Sequence, residues 1–369
     1  MATDFPVVWN PAYERVASLP TGATVLLLGS TDTGKTTFAA QVAARLAETS
    51  ERVAVVDGDI GQSEIAPPGT VAVAWATPDA ARLSDLKPAA TFFVGAFSAS
   101  TLPLEHAVAT LQAVRHARAR AADRVLVDTT GYVSGPTARR LKCAKALLIQ
   151  PDLVLAFGAD TNSELLALAR TASAVCGAEV LPVPVPPETQ RKPPAMRTTR
   201  RASRLAAYFG DKPVAVTVPL ADVQTLGATL GTGTPIAPHL AAWAGDALSL
   251  GVVHGEIAGD VLTLFSPGAI RSGFESGIGA VATHFATRTV RVVSLAAATG
   301  VLTGLCDTSG RLFALGRYAG FDAEAVGVVV AVPGGAVGAA RERCRLLTFG
   351  RVRVDMGGAT IAELKPGEW

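Results

Sequence analysis

Cysteine is scarce in this 369-residue chain, and the four present (Cys143, Cys176, Cys306 and Cys344) lie far apart with no paired spacing. That argues against a disulfide scaffold or a zinc site and suits a reducing cytoplasm. Long hydrophobic runs are also missing. Nowhere do about 18 apolar residues follow one another free of charge, so no membrane span is expected. Asp4 stands early and no apolar stretch follows it, so no signal peptide is expected either. Nor does one sign of charge dominate, since 33 Lys and Arg against 31 Asp and Glu leave +2. A nucleic-acid partner must therefore be held by a local basic patch rather than by a basic protein. What the chain does have is apolar residues, 49% of the total, and enough length for two domains with their own cores.

Short β-rich runs alternate with helical patterns between about residues 24 and 185. Thr24–Leu28, Arg52–Val56, Thr91–Val94, Arg124–Val127, Leu153–Phe157 and Glu179–Val185 read as strands, nearly continuous in Val, Leu, Ile and Phe. Such runs are expected where helices cover both faces of a parallel sheet. Thr37–Ala47, Leu104–Ala121, Pro136–Ile149 and Asn162–Val175 read as the covering helices. The expectation is an α/β fold, a doubly wound parallel sheet of the P-loop NTPase kind, over residues 1–210. A proline-rich linker, Pro182 to Pro194, precedes a basic helix over Ala195–Phe209. From residue 211 to 369, glycines punctuate strand-like runs, and a β-rich C-terminal domain is expected. Its strands are placed at Leu250–Val253, Val261–Phe265, Thr289–Val293, Arg311–Leu315, Val326–Val332 and Arg351–Val354.

The strongest motif is Gly29-Ser30-Thr31-Asp32-Thr33-Gly34-Lys35-Thr36, followed by Thr37, between an apolar strand and a helix. Glycines let backbone amides turn inward around phosphates, and the helix N-terminus favours negative charge. Lys35 should reach the β and γ phosphates and Thr36 should ligate Mg²⁺. The second strand delivers Asp57-Gly58-Asp59-Ile60-Gly61-Gln62 to the same sheet edge. A carboxylate there can hold metal-bound water or accept a proton from an attacking hydroxyl. The fourth named strand brings Asp128-Thr129-Thr130-Gly131-Tyr132, with Asp128 placed as the acidic partner of the P-loop. In the basic helix, Arg197, Arg201 and Arg204 fall on one face with Arg200 beside them. Like charges so spaced repel unless a polyanion neutralises them, which reads as a lid at about 188–210 closing over a triphosphate. Trp9 and Tyr132 are candidates for stacking on a base. His106 and His116 lack metal-ligand spacing.

Taken in order, these motifs resemble the polynucleotide 5′-hydroxyl kinase family. That family includes the kinase subunit of the messenger-RNA 3′-end cleavage factor and the nucleolar ribosomal-RNA-processing kinases. The likeness is carried by GSTDTGKTT, DGDIGQSEIAPPGT, FFVGAFS at 92–98, VDTTGYVSG at 127–135 and RTTRRASRLAAYF at 197–209. The later LTGLCDTSGRLFALGR and LLTFGRVRV extend it into the second domain. The resemblance implies Mg²⁺-dependent transfer of the γ phosphate of ATP, or another NTP, to the 5′-OH end of RNA or DNA. It implies Lys35, Asp59, Arg197 and Arg201 as catalytic residues, with Asp59 the base on the 5′-hydroxyl. Residues 29–37 and Arg204 would serve the nucleotide, and Thr36, Asp57 and Asp128 the metal. Gln62, Thr129, Thr130 and Tyr132 would face the acceptor. Tyr132 stands where some members carry tryptophan, and with about two dozen residues before the first strand no counterpart of the eukaryotic members' extra N-terminal β domain is expected.

Three other readings share the phosphate machinery. Asp128-Thr129-Thr130-Gly131 matches the D-x-x-G switch of regulatory GTPases, but no Asn-Lys-x-Asp or Thr-Lys-x-Asp guanine-reading motif follows. A non-catalytic, ATP-organised scaffold in RNA processing would not need the lysine, base and arginines together. A small-nucleoside kinase would have no use for a strand-sized groove lined by the lid with Arg139, Arg140 and Lys142.

Overall fold

Alternating apolar strands and helices build the first half of the chain. The computed structural model describes residues 5–160, 162–270, 272–365 and 367. In order come α1 (Asn10–Ala17), β1 (Ala23–Gly29), α2 (Lys35–Glu48), β2 (Val53–Gly58), β3 (Thr70–Trp75) and β4 (Pro88–Phe93). Then follow α3 (Pro103–Arg118), β5 (Arg124–Thr129), α4 (Gly135–Ile149), β6 (Leu153–Phe157), α5 (Ser163–Ala174), β7 (Glu179–Val183) and α6 (Pro194–Phe209). The strands line up as β4-β3-β2-β5-β1-β6-β7. From β2 to β7 every pair is parallel. Strand residues alternate between two cores, as a period of two requires. Leu26, Leu28, Val56, Val127 and Val154 pack with α3, α4 and α5. Val25, Leu27, Val55, Leu126 and Leu155 pack with α1 and α2.

Two details depart from the sequence expectation. Thr70–Trp75 is a strand and runs antiparallel to both β2 and β4, so that edge of the sheet is mixed. Its TVAVAW sequence holds strand-favouring Thr, Val and Trp, but with burial on both faces it shows no polar alternation to mark it out. Pro182, where the expected strand Glu179–Val185 and the expected linker overlap, pairs with Ala156 inside β7, so the linker begins beyond it. A proline is tolerated there because β7 is an edge strand within this unit.

The chain divides into two compact units, one ending at Arg204 and the other beginning at Leu205, within α6. The second unit holds β8 (Val214–Pro219), β9 (Gln224–Leu226), β10 (Thr234–Pro235), α7 (Pro238–Leu248), β11 (His254–Ala258), β12 (Val261–Ser266) and α8 (Ile278–His284). It continues with β13 (Thr289–Ser294), β14 (Val301–Cys306), β15 (Arg311–Asp322), β16 (Gly327–Val332), α9 (Val337–Arg343), β17 (Leu346–Val354) and β18 (Thr360–Glu363). Antiparallel pairing of β8, β16, β15, β14, β17 and β18 encloses a core around Tyr318, Val330 and Phe349. A smaller sheet, β10-β11-β12-β13, is covered by α7 and α8. The strand expected at Leu250–Val253 begins instead at His254, and the three helices were not foreseen. Each is short, and α8 and α9 span only two turns, too little for helical periodicity to stand out. Among the described residues no helix is long and apolar enough to cross a membrane.

Candidate active site

β1, β2 and β5 are adjacent and parallel, so their carboxyl ends open on one side of the sheet, where ligands of such folds bind. The P-loop leaves β1 there. Lys35, 6% exposed, turns back so that Nζ donates to the carbonyl of Ser30 (2.7 Å) and to Thr33 Oγ1 (3.4 Å). Burial lowers its pKa, opposed by the charges of Asp128, Asp59 and Asp32. Thr36 donates its hydroxyl to Asp128 Oδ2 at 2.5 Å, and the amide of Thr129 donates to Oδ1 at 2.9 Å. Even so, burial pushes the Asp128 carboxyl up to about 7, against the pull of Lys35 and Thr36. Thr37 is exposed at the start of α2.

At the end of β2 the two aspartates part company. Asp57 is wholly buried and shapes its own loop. Its Oδ2 accepts from Ser63 Oγ (3.1 Å) and the amides of Glu64 (2.6 Å) and Ile65 (3.0 Å), and its Oδ1 from the amide of Asp59 (3.2 Å). Burial outweighs these bonds and raises its carboxyl to about 6. Asp59 is only half-buried, and Oδ1 accepts from the amides of Gly61 and Gln62, both at 3.1 Å. Among the described residues its Oδ2 has no hydrogen-bond partner.

The segment after β5 lies directly on the P-loop. A Cβ added to Gly131 would stand 2.3 Å from Thr31 Oγ1 and 2.4 Å from the Thr31 nitrogen, so only glycine fits. Thr129 and Thr130 are buried. Thr129 donates to the Leu27 carbonyl at 2.7 Å, and Lys142 Nζ donates to Thr129 Oγ1 and the Thr130 carbonyl, both at 2.8 Å. The half-buried Tyr132 packs on Ala99, Ala107 and Leu141.

The arginines of α6 do not act as one face. Arg197 sits 3.7 Å from Asp32 Oδ2, the same oxygen that accepts the Lys192 amide at 3.0 Å. Arg200 pairs with Glu64 at 2.7 Å. Arg201 lies 4.7 Å above the ring of Phe97, and partial burial lowers its pKa. Arg204 donates to the carbonyls of Glu64 (2.7 Å) and Ala66 (3.3 Å), so its guanidinium anchors the helix to the loop after β2. Gln62 completes that seam, giving its amide to the Gly61 carbonyl (2.8 Å) and to the Arg197 carbonyl (3.2 Å). An open cleft of about 660 Å³ runs between Ser30–Asp32, Gly131–Ser134 and Arg191–Arg197.

Two sequence expectations are overturned. Trp9 is 2% exposed and cannot stack on a substrate base. Its Nε1 donates to the Pro184 carbonyl at 3.2 Å, and its ring packs on Phe38, Phe157 and Gly34. Lys142 does not line a groove with Arg139 and Arg140 but is fully buried behind the site, and burial drops its ammonium to about 7. Lys145 and His106, equally buried beside it, were not read from the sequence as parts of the site. The only available signal was the i, i+3 spacing of Lys142 and Lys145, which a solvated face shares.

Fold and site together define a protein of the P-loop nucleotide-binding class. Residues 29–211, about half of the chain, match the family described as mRNA cleavage and polyadenylation factor CLP1 P-loop, and the curated relatives it resembles are polyribonucleotide 5′-hydroxyl-kinases. A polyribonucleotide 5′-hydroxyl-kinase of Pyrococcus horikoshii is 32% identical over 225 residues, 61% of this chain and 60% of that protein. One from Thermococcus kodakarensis is 33% identical over 60% of this chain and 61% of its own. The match thus spans about three-fifths of either relative's length. One from Pyrococcus furiosus aligns over 98% of this chain and 96% of its own at 27% identity. Among solved structures, the Clp1p–Pcf11p complex aligns with a TM-score of 0.59 at 10% identity, covering 94% of this chain and 78% of that one, a likeness of fold.

Proposed function

We propose that this protein is a polynucleotide 5′-hydroxyl kinase that moves the γ phosphoryl of ATP to the 5′-OH end of RNA. The observation that carries the reading is the free oxygen of Asp59, held beside a P-loop whose lysine, threonine and acidic partner are assembled. A 5′-hydroxyl is a weak nucleophile and needs a positioned base and in-line alignment. Asp59 Oδ2 serves as that base, while Oδ1 is fixed by two amides. Lys35 exchanges the Ser30 carbonyl for phosphate oxygens. Arg197 and Arg201 neutralise charge as the phosphoryl moves, which is where such arginines act. Asp57 and Arg204 hold the base loop and lid in shape rather than touching the nucleotide. The relatives' names, polyribonucleotide 5′-hydroxyl-kinase, favour RNA over DNA as acceptor.

Mg²⁺ fits the residues present. Thr36 and Asp128 offer hard oxygen donors 2.5 Å apart, suited to an ion that takes one or two protein ligands and fills the rest with phosphate and water. Among the described residues no cluster of three or more His, Cys, Asp or Glu side chains forms a self-sufficient metal site. Held there by Thr36 and Asp128, the ion would supply positive charge to offset that of the phosphates. Four free cysteines suit a cytoplasmic enzyme.

The test is direct. The protein is incubated with γ-labelled ATP, Mg²⁺ and oligonucleotides ending in 5′-hydroxyl or 5′-phosphate, as RNA and as DNA. Label on the 5′-hydroxyl RNA alone or foremost is expected. Hydrolysis of ATP without transfer to any end sinks the proposal.

A further inference from the structure

Behind the loop that carries Asp59 lie buried groups that the proposed reaction does not touch: His106 on α3 and, on α4, Lys142 and Lys145. Lys142 is accounted for by its bonds to Thr129 and Thr130. Lys145 is not. Among the described residues its Nζ has one hydrogen-bond partner, Nε2 of His106 at 2.7 Å. Burying an amine that charges in water costs several kcal/mol, and a methionine would fill the same volume without that cost. Packing alone does not explain a lysine here.

His106 supplies the explanation. Its Nε2 is also 2.9 Å from the carbonyl oxygen of Gly58, and its Nδ1 is buried without a partner. A proton on Nδ1 would leave a buried donor unpaired and set two acceptors, Nε2 and the Gly58 oxygen, against each other. A proton on Nε2 avoids both penalties. The ring therefore donates to Gly58, and the amine of Lys145 takes the other share of the same hydrogen. Burial pulls both groups well below their ordinary pKa values, which suits a neutral pair. Gly58 immediately precedes Asp59 and is wedged against β5. A Cβ on it would come 2.7 Å from the Asp128 carbonyl and 3.8 Å from Lys145 Nζ. The contacts thus run from α4 through the imidazole to the peptide group that links Gly58 to the proposed base.

We propose that Lys145 and His106 are positioning residues for phosphoryl transfer. Lys145 orients the imidazole, the imidazole pins the Gly58 carbonyl, and Asp59 is thereby held with its free oxygen at the acceptor hydroxyl. The inference rests on the kinase reading above for its rate effect, but not for its structural effect.

The test pairs transfer kinetics with hydrogen exchange of the backbone amides of residues 58–62. Lys145→Met is expected to lower kcat on the order of ten- to a hundredfold, the cost of misplacing a reacting group by a fraction of an ångström. ATP affinity and melting temperature should hold or rise, and exchange at 58–62 should quicken. His106→Leu should match it, whereas His106→Gln, which can still donate to Gly58, should keep most of the rate. Wild-type kcat and exchange in Lys145→Met overturn the proposal. So does a loss of rate that merely tracks a loss of melting temperature. If Lys145→Met does not fold, the contrast between Gln and Leu at position 106 decides. A wild-type protein that transfers no phosphate sinks the kinase reading, and exchange at 58–62 then decides the positioning claim alone.

Discussion

The side-chain amide of Gln62 donates to the main-chain carbonyl of Arg197 across 3.2 Å, so the loop bearing the proposed base and the helix bearing the lid arginines share a bond. Glu64 reinforces it, taking Arg200 on its carboxylate and Arg204 on its carbonyl. Base and lid are therefore expected to move as one piece. Gln62→Ala should lower kcat by roughly fivefold to tenfold, about the worth of one hydrogen bond, with ATP affinity unchanged. Steady-state kinetics beside nucleotide titration check it, and a change confined to affinity would contradict the coupling.

Thr36→Ala removes a hydroxyl that lies 2.5 Å from Asp128. The half-saturating Mg²⁺ concentration should rise and kcat should fall on the order of a hundredfold, as when one charge-stabilising group is deleted. Magnesium titrations of turnover read both. An unaltered Mg²⁺ dependence would remove Thr36 from the metal's ligands.

Arg201 and Phe97 give a graded pair. Arg201→Ala should depress kcat by roughly two to three orders of magnitude while nucleotide affinity barely moves, as expected of a group that acts in the transition state. Phe97→Leu keeps the guanidinium and removes only its platform, 4.7 Å below. It should cost about threefold to tenfold, the worth of a partly desolvated cation–π contact. Equal losses in the two variants would make Arg201 a structural residue.

Asp128 predicts a pH signature. Its carboxyl titrates at about 7 in the fold, against about 4 in an unfolded chain. Between those values the native state holds the extra proton, so ionisation removes stability as pH rises from about 4 through 7. In metal-free buffer, Asp128→Asn should melt above wild type at pH 7 and lose that advantage near pH 4. Lys142, lowered to about 7, acts with the opposite slope at higher pH, where the unfolded chain holds the extra proton. Melting curves from pH 4 to 8 check the Asp128 effect, and a constant gap between the two proteins would refute it.

The parts of the site that the sequence announced are those whose chemistry needs a fixed residue at a strand end. Lys35, Thr36, Asp59 and Asp128 were legible because glycines and carboxylates stand out after apolar strands. The division of labour between Asp57 and Asp59 was not legible, since it depends on a hydroxyl six residues downstream and amides seven and eight residues downstream turning back onto one carboxylate. The arginine helix was legible as an element but not as four separate roles, because Glu64 and Phe97, which sort those roles, are distant in sequence. Lys142, Lys145 and His106 stayed hidden for a plainer reason. On a helix, a charged residue facing inward and one facing water carry the same letter. In the second unit, two-turn helices carry too little periodicity to announce themselves.

Trp9, lost as a stacking platform, gains another use from where it lies. Its indole is sealed from water and rests against Gly34, the last residue before Lys35. Any shift of the P-loop backbone alters the surroundings of that ring directly. With the other three tryptophans replaced, the protein would carry a built-in optical gauge of its own phosphate-binding loop, read as a change in emission without an attached dye.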